Sequence, residues 1–207
     1  MKHIFIHGLG QTPAAWDKTI SALGIGDYAC PDLPALVRNT DKTYQSLYSA
    51  FAAYCNDFND DVSLCGLSLG AVLARNYAID APEKVNQLIL IVPQYKMPKG
   101  MLRFQNIIFR FMPKSMFNET GFAKSDYISL CRSMMSLDFS VSLNGISCPT
   151  LILHGEKDKA NSKAAADIAG RIKNAKLQVI GCSGHEVNID APERLAEIIH
   201  TFTVTAE

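Results

Sequence analysis

No two of the six cysteines (Cys30, Cys55, Cys65, Cys131, Cys148 and Cys182) form a Cys-x-x-Cys pair, and none stands at a metal-like spacing from histidine. That leaves no zinc module and no redox dithiol to read. Cys65 and Cys148 fall in or beside expected buried strands, where a free thiol behaves as a small hydrophobe, so reduced cysteines and a cytoplasmic setting are expected. The start of the chain offers only Ile4-Phe5-Ile6 before glycine and polar residues, too little for a signal peptide's apolar core. No apolar run approaches the length of about 20 residues that crosses a bilayer. Charge is sparse and balanced, with 20 basic and 20 acidic side chains making 19% of the chain. A nucleic-acid partner is therefore not expected.

What the chain does have is a hydrophobic fraction of 48% over 207 residues, enough for one domain with a sizeable core. Short apolar runs alternate with helical periodicity. Strands are expected at 2–6, 28–30, 62–65, 85–92, 148–153 and 176–180. Helices are expected near 14–23, 42–58, 69–79, 162–171 and 192–202. The run at 85–92 is almost continuously apolar, as a parallel strand buried on both faces would be. Asp80-Ala-Pro-Glu83 and Asp190-Ala-Pro-Glu193 both read as helix-start chemistry. The alternation argues an α/β fold with an open, mostly parallel sheet and helices on both faces. It is interrupted once. Residues 94–146 hold no clear strand and are rich in Met and Phe, which suggests a helical cap inserted into a core of 1–93 and 147–207.

The chain is organised around Asp61 to Ala74, an apolar strand, a sharp turn and a helix. The turn reads Gly66-Leu-Ser68-Leu-Gly70, a nucleophile elbow in which the serine occupies a strained turn at the tip of a sheet. The pentapeptide alone would arise by chance in roughly one chain of this size in fifteen; the strand before it and the helix after it give it weight. Ligands of open α/β sheets bind beyond the carboxyl ends of the strands. Three further loops reach that edge: His7-Gly8-Leu9-Gly10, Gly155-Glu-Lys-Asp158 and Ser183-Gly184-His185. A serine needs a base within hydrogen-bond reach, and an imidazole needs a carboxylate to fix its tautomer. Ser68, His185 and Asp158 supply these groups in the chain order Ser…Asp…His. Glu156 and Asp138 compete with Asp158 for the carboxylate role. His7 and His154 read as structural, Trp16 as core, and Asp32 as a residue that orients the entry loop.

These segments resemble the α/β-hydrolase superfamily over essentially the whole chain. The likeness rests on His7-Gly8-Leu9-Gly10 with Trp16, Pro31-Asp32-Leu33-Pro34, the elbow, Leu151 to Asp158, and Gly184-His185. It implies backbone N–H donors at Leu9 and Leu69 for an oxyanion, and chemistry that needs no cofactor or metal. Two features depart from the usual pattern. The chain begins directly on the strand that enters the oxyanion loop, without the antiparallel hairpin most members carry before it. Ala35-Leu36-Val37 stands where Gly-His-Gly is usual.

The activity expected is a serine hydrolase cleaving small carboxylic esters or thioesters with an apolar portion, through an acyl-enzyme on Ser68. Gly8, Met101, Phe104, Ile108 and Met112 are the candidate substrate contacts. The same triad also serves amide, lactone and carbon–carbon bond hydrolysis and lyase reactions, and a non-catalytic ligand receptor is the rival outside enzymes. From Lys96 to Lys114 the cap holds five cations and no acid. Three readings follow: an apolar face that covers the site with its cations in water, attraction of an anionic substrate, or contact with an anionic membrane surface. A monomer or a homodimer fits the composition equally.

Overall fold

The computed structural model describes residues 1–205, without the side chains of Met101 and Asn118. In chain order the elements are β1 (Lys2–Ile6), α1 (Asp17–Leu23), β2 (Tyr28–Ala29), α2 (Leu33–Leu36) and α3 (Tyr44–Asn56). Next come β3 (Val62–Leu67), α4 (Leu69–Asp80), β4 (Val85–Ile91), α5 (Lys99–Phe111) and α6 (Lys124–Met134). The chain closes with β5 (Thr150–Gly155), α7 (Lys159–Ala169), β6 (Ala175–Ile180), α8 (Val187–Asp190) and α9 (Pro192–Thr205). Short 3-10 turns join several of them, including Pro13–Trp16 ahead of α1.

The six strands form one sheet in the order β2-β1-β3-β4-β5-β6, and every pairing is parallel. Parallel neighbours require crossovers, and the intervening helices provide them on both faces. The strands therefore bury two sets of side chains with a period of two. Ile4, Ile6, Leu64, Leu88, Leu90 and Ile152 face the larger core with α3, α4 and the cap. Phe5, Cys65, Leu67, Ile89, Ile91, Leu151 and Leu153 face the smaller core, closed by Trp16, Ile20 and the α9 residues Leu195, Ile198 and Phe202. Trp16 is fully buried against Phe5, at 5.3 Å between ring centroids, the core position its sequence context suggests.

Strand ends differ from the sequence reading where turns carry further hydrogen bonds. β5 runs on to Gly155 because His154 and Gly155 still pair with Val179 and Ile180. The helix expected from Ser162 starts at Lys159, because Asp158 caps it by accepting the Asn161 N–H. The one-turn helices α2 and α8 are too short to carry a periodic signal. Both Asp-Ala-Pro-Glu segments open a helix as expected, α9 at Pro192 and a 3-10 turn at Pro82, but their aspartates bond elsewhere. Asp80 accepts hydrogen bonds from Tyr48 and Asn76, and Asp190 reaches back to the Gly184 N–H at 2.6 Å. Asp80 thus ties α4 to α3, and Asp190 closes the loop that carries His185.

Residues 94–146 form α5, α6 and 3-10 turns, with a single bridge between Lys96 and Asp138. They sit over the carboxyl ends of β3 and β4 and pack Leu102, Phe109, Phe117, Tyr127 and Leu130 into the larger core.

Candidate active site

The elbow is built by two close approaches. A Cβ on Gly66 would enter the carbonyl of Gly70, and one on Gly70 would enter the carbonyl of Ile6. Glycine at 66 lets β3 close on α4, and glycine at 70 lets α4 close on β1. Between them Ser68 has φ 54° and ψ −110°, a region where an L side chain is strained. Its N–H donates to Ile91 O at 3.0 Å, and its carbonyl accepts the first bond of α4 from Val72. The strain is held by these bonds and lifts Oγ off the sheet edge. Val92, just past β4, also has φ 54°, a costly value for a β-branched residue. Its N–H donates to Leu153 O at 2.7 Å.

Ser68 Oγ lies 3.1 Å from His185 Nε2, and His185 Nδ1 lies 2.9 Å from Asp158 Oδ2. A carboxylate only accepts, so Nδ1 carries the proton and Nε2 turns a lone pair to the serine hydroxyl. Asp158 is almost fully shielded at 6% side-chain exposure, whereas His185 is 48% exposed. Proton exchange at the imidazole is open; the carboxylate that orients it is sheltered.

Two loops are laced together to hold this geometry. Lys157 N–H donates to Ser183 O, and the Glu156 carboxylate accepts the Cys182 N–H. A Cβ on Gly155 would run into the Gly184 carbonyl beneath His185. Of the competing carboxylates, Glu156 is used up in that lacing. Asp138 accepts hydrogen bonds from Ser140 and pairs with Lys96, which together keep it well below the usual carboxylate range.

One residue that the sequence reading overlooked is Asn161. Its Nδ2 donates to both Asp158 oxygens at 2.8 Å, and its N–H donates to Oδ1. Gln94 in turn donates to Asn161 Oδ1 at 2.6 Å. Oδ1 of Asp158 thus caps α7 while Oδ2 faces His185. The signal in the sequence is modest: an asparagine three residues after the cap, at the third position of a helix. Hydrogen bonds to a charged group are worth about 1.5–3 kcal/mol each. If the triad turns over ester, Asn161→Ala should lower kcat by roughly 10- to 100-fold with little change in KM. Asn161→Asp, which opposes two carboxylates, should be worse. Steady-state kinetics on both variants check this, and an unchanged kcat in Asn161→Ala would remove Asn161 from the positioning shell.

The loop that follows β1 is braced from two sides. His7 Nε2 accepts the Leu33 N–H, so its other nitrogen donates to Gly8 O at 2.9 Å. Burial pushes His7 below the ordinary imidazole value and keeps it neutral for this role. Gln11 Oε1 accepts the Gly8 N–H at 3.3 Å, and its amide donates to Glu186 and Asn188 in the segment after His185. His154 Nδ1 donates to Gly155 O at 3.0 Å and stands apart from the Ser68–His185 pair. Asp32 is exposed and precedes α2 without a side-chain cap bond.

Above Ser68 lies a cavity of about 470 Å³. Leu9 and Leu69 line it with Val72, Val92, Met97, Leu102, Cys131 and Met134, and Gln94 and Asn161 add polar atoms. Of the expected substrate contacts, Phe104 and Ile108 lie on its wall. Gly8 does not, because it is pressed under the elbow, where a Cβ would stand 3.0 Å from Leu67. Met112 does not either; it ends α5 and packs against the larger core. The side chain of Met101 lies outside the described residues. A larger hollow of about 920 Å³ follows the β6–α9 edge, lined by Leu177, Arg194 and Phe202, and holds no nucleophile–base pair.

A model of the alpha/beta hydrolase family matches residues 4–198. The chain is 23% identical over 229 aligned positions to a pimeloyl-(acyl-carrier protein) methyl ester esterase of Nitrosomonas europaea, covering 92% of this chain and 91% of that one. It is 21% identical to an (E)-2-((N-methylformamido)methylene)succinate hydrolase of Acinetobacter baylyi, over 98% of this chain and 90% of the other. The enol-lactonase of Burkholderia xenovorans superposes with a TM-score of 0.81 at 15% identity, covering 98% of this chain and 91% of that one.

Proposed function

The chain belongs to the alpha/beta hydrolase family, and from that premise we propose that it is a serine esterase acting on small carboxylic esters or thioesters. The observation that carries the reading is the unbroken series from Ser68 Oγ through His185 to Asp158, at 3.1 and 2.9 Å, on the floor of an apolar cavity. Ser68 attacks the acyl carbonyl as His185 Nε2 takes its proton. The oxyanion that forms is met by the N–H groups of Leu9 and Leu69, the second at the start of α4. His185 then gives its proton to the leaving alkoxide or thiolate, and an acyl-enzyme remains on Ser68. A water molecule, deprotonated by the same imidazole, releases the acid and restores the serine. Asp158 holds the imidazole and stabilises its cation throughout.

The lining supports an apolar acyl group, since hydrocarbon side chains form most of the wall. That one relative is named for a methyl ester carried on an acyl chain agrees with this class. A panel of p-nitrophenyl esters and acyl thioesters, varied in chain length and terminal charge, tests the reading. For acyl chains that still fit, kcat/KM should rise by up to about fourfold per added methylene. Equal turnover of acetyl and longer esters would contradict the cavity as the acyl site.

A further inference from the structure

The outer face of the cap carries chemistry that ester cleavage leaves unused. On α5, Phe104, Ile107, Ile108 and Phe111 recur at i, i+3, i+4 and i+7 and so share one stripe. They are 63%, 52%, 42% and 86% exposed, while Leu102 and Phe109 on the opposite face are buried in the core. The helix is thus apolar on two faces, and only one of them has a protein partner among the described residues. At 3.6 residues per turn, Lys99, Arg103 and Arg110 fall on the flank away from the catalytic cavity. Phe104 and Ile108 reach that cavity's rim from the other side.

Along the cationic flank, Arg103, Arg110 and Arg132 of α6 line one shallow cleft of about 350 Å³ whose floor is Asn106, Ile107, Ile128 and Met135. Among the described residues no carboxylate pairs with these three guanidinium groups. Three like charges around one cleft, with no counter-charge, form a site for an anion.

We infer that this face docks on an anionic phospholipid surface. A headgroup phosphate occupies the cleft of Arg103, Arg110 and Arg132, while Ile107 and Phe111 enter the acyl layer beside it. Two features favour lipid over other occupants. The apolar groups protrude, so a fluid layer accepts them without a matching pocket. A two-fold contact with a second copy would bring the same arginine row against itself. No described helix is long and apolar enough to cross a membrane, so contact is with the surface. The purpose of docking rests on the esterase reading, because the rim of the cavity would then meet the layer where apolar esters collect. The test does not depend on that reading.

Co-sedimentation with phosphatidylcholine vesicles, with and without phosphatidylglycerol, should be run on wild type and on Ser68→Ala, whose loss of turnover is irrelevant to binding. Both proteins should bind the anionic vesicles, and less so as salt is raised. Each cation removed should cost about fivefold in partition, so Arg103→Ala/Arg110→Ala should bind roughly 25-fold less. Phe111→Ser should bind about tenfold less while cleaving a soluble short-chain ester as wild type does, which also reports that it folds. The proposal is overturned by wild type that ignores anionic vesicles, or by binding that survives both sets of changes. Capture of soluble glycerophosphate without vesicle binding would leave a free-phosphate site and overturn the docking. So would a concentration-dependent dimer that Phe111→Ser dissolves. If vesicles are ignored and turnover on an acidic acyl-carrier protein falls in the arginine variant, the face belongs to a protein partner instead.

Discussion

Ser68→Ala should lower kcat on any ester the protein cleaves by up to about 10⁶, and His185→Ala by a similar factor. The two losses should not add, because a serine without its base is already nearly unreactive. Asp158→Ala should cost less, on the order of 10⁴, since the proposed Leu9 and Leu69 donors and the imidazole remain. The serine variant should fold normally. Alanine at position 68 occupies the same backbone at φ 54°, under the same strain, and keeps the N–H bond to Ile91. Ser68→Gly separates the two effects. Glycine relieves a conformation that costs about 1–3 kcal/mol, so this variant should be more stable than wild type and equally dead. Chemical denaturation beside steady-state kinetics reads both quantities. A Ser68→Gly protein no more stable than wild type would mean that the elbow stores no strain.

Gly70→Ala should be among the most damaging changes away from Ser68, His185 and Asp158. The added Cβ would enter the Ile6 carbonyl and lie 3.0 Å from His7 O, and both are backbone atoms that cannot rotate away. Either α4 shifts from β1 or the elbow opens. A core overlap of this kind costs about 4 kcal/mol or more. That is a large part of the roughly 5–15 kcal/mol that holds a domain together. The expected result is a protein that unfolds at much lower denaturant, with its residual folded fraction nearly inactive. Gly100→Ala is the control. Nothing lies within 4 Å of a Cβ there, in the first turn of α5, and alanine should raise stability by up to about 1 kcal/mol. If Gly70→Ala tolerates denaturant as well as Gly100→Ala does, the close approach of α4 to β1 is not what shapes the elbow.

Several of these features can be read in the sequence because they are local or periodic. The elbow is legible from Gly66 and Gly70, whose spacing has meaning only if a strand closes on a helix. The parallel sheet is legible from runs such as Val85 to Ile91, buried on both faces. Asp158 could be preferred to Glu156 because a carboxylate must turn off the strand before it can face His185. What escaped reading depends on long-range contact. Asn161 reads as an ordinary first-turn residue until Asp158 folds back to cap α7 and brings it beneath the carboxylate. Asp190 reads as a helix start, yet its oxygen closes the loop that holds His185. The cap is the sharpest case. The sequence gives α5 an apolar face and a set of cations, but periodicity cannot say which of two apolar faces meets the core. Leu102 and Phe109 do, and the stripe from Phe104 to Phe111 does not.

The central claim is that Ser68, His185 and Asp158 form one working relay. Labelling with a fluorophosphonate at neutral pH, followed by peptide mass spectrometry, tests it most directly. The predicted result is a single adduct on the peptide carrying Ser68, absent in Ser68→Ala and formed far more slowly in His185→Ala. Wild type that stays unlabelled, or an adduct on another residue that persists in Ser68→Ala, would contradict it.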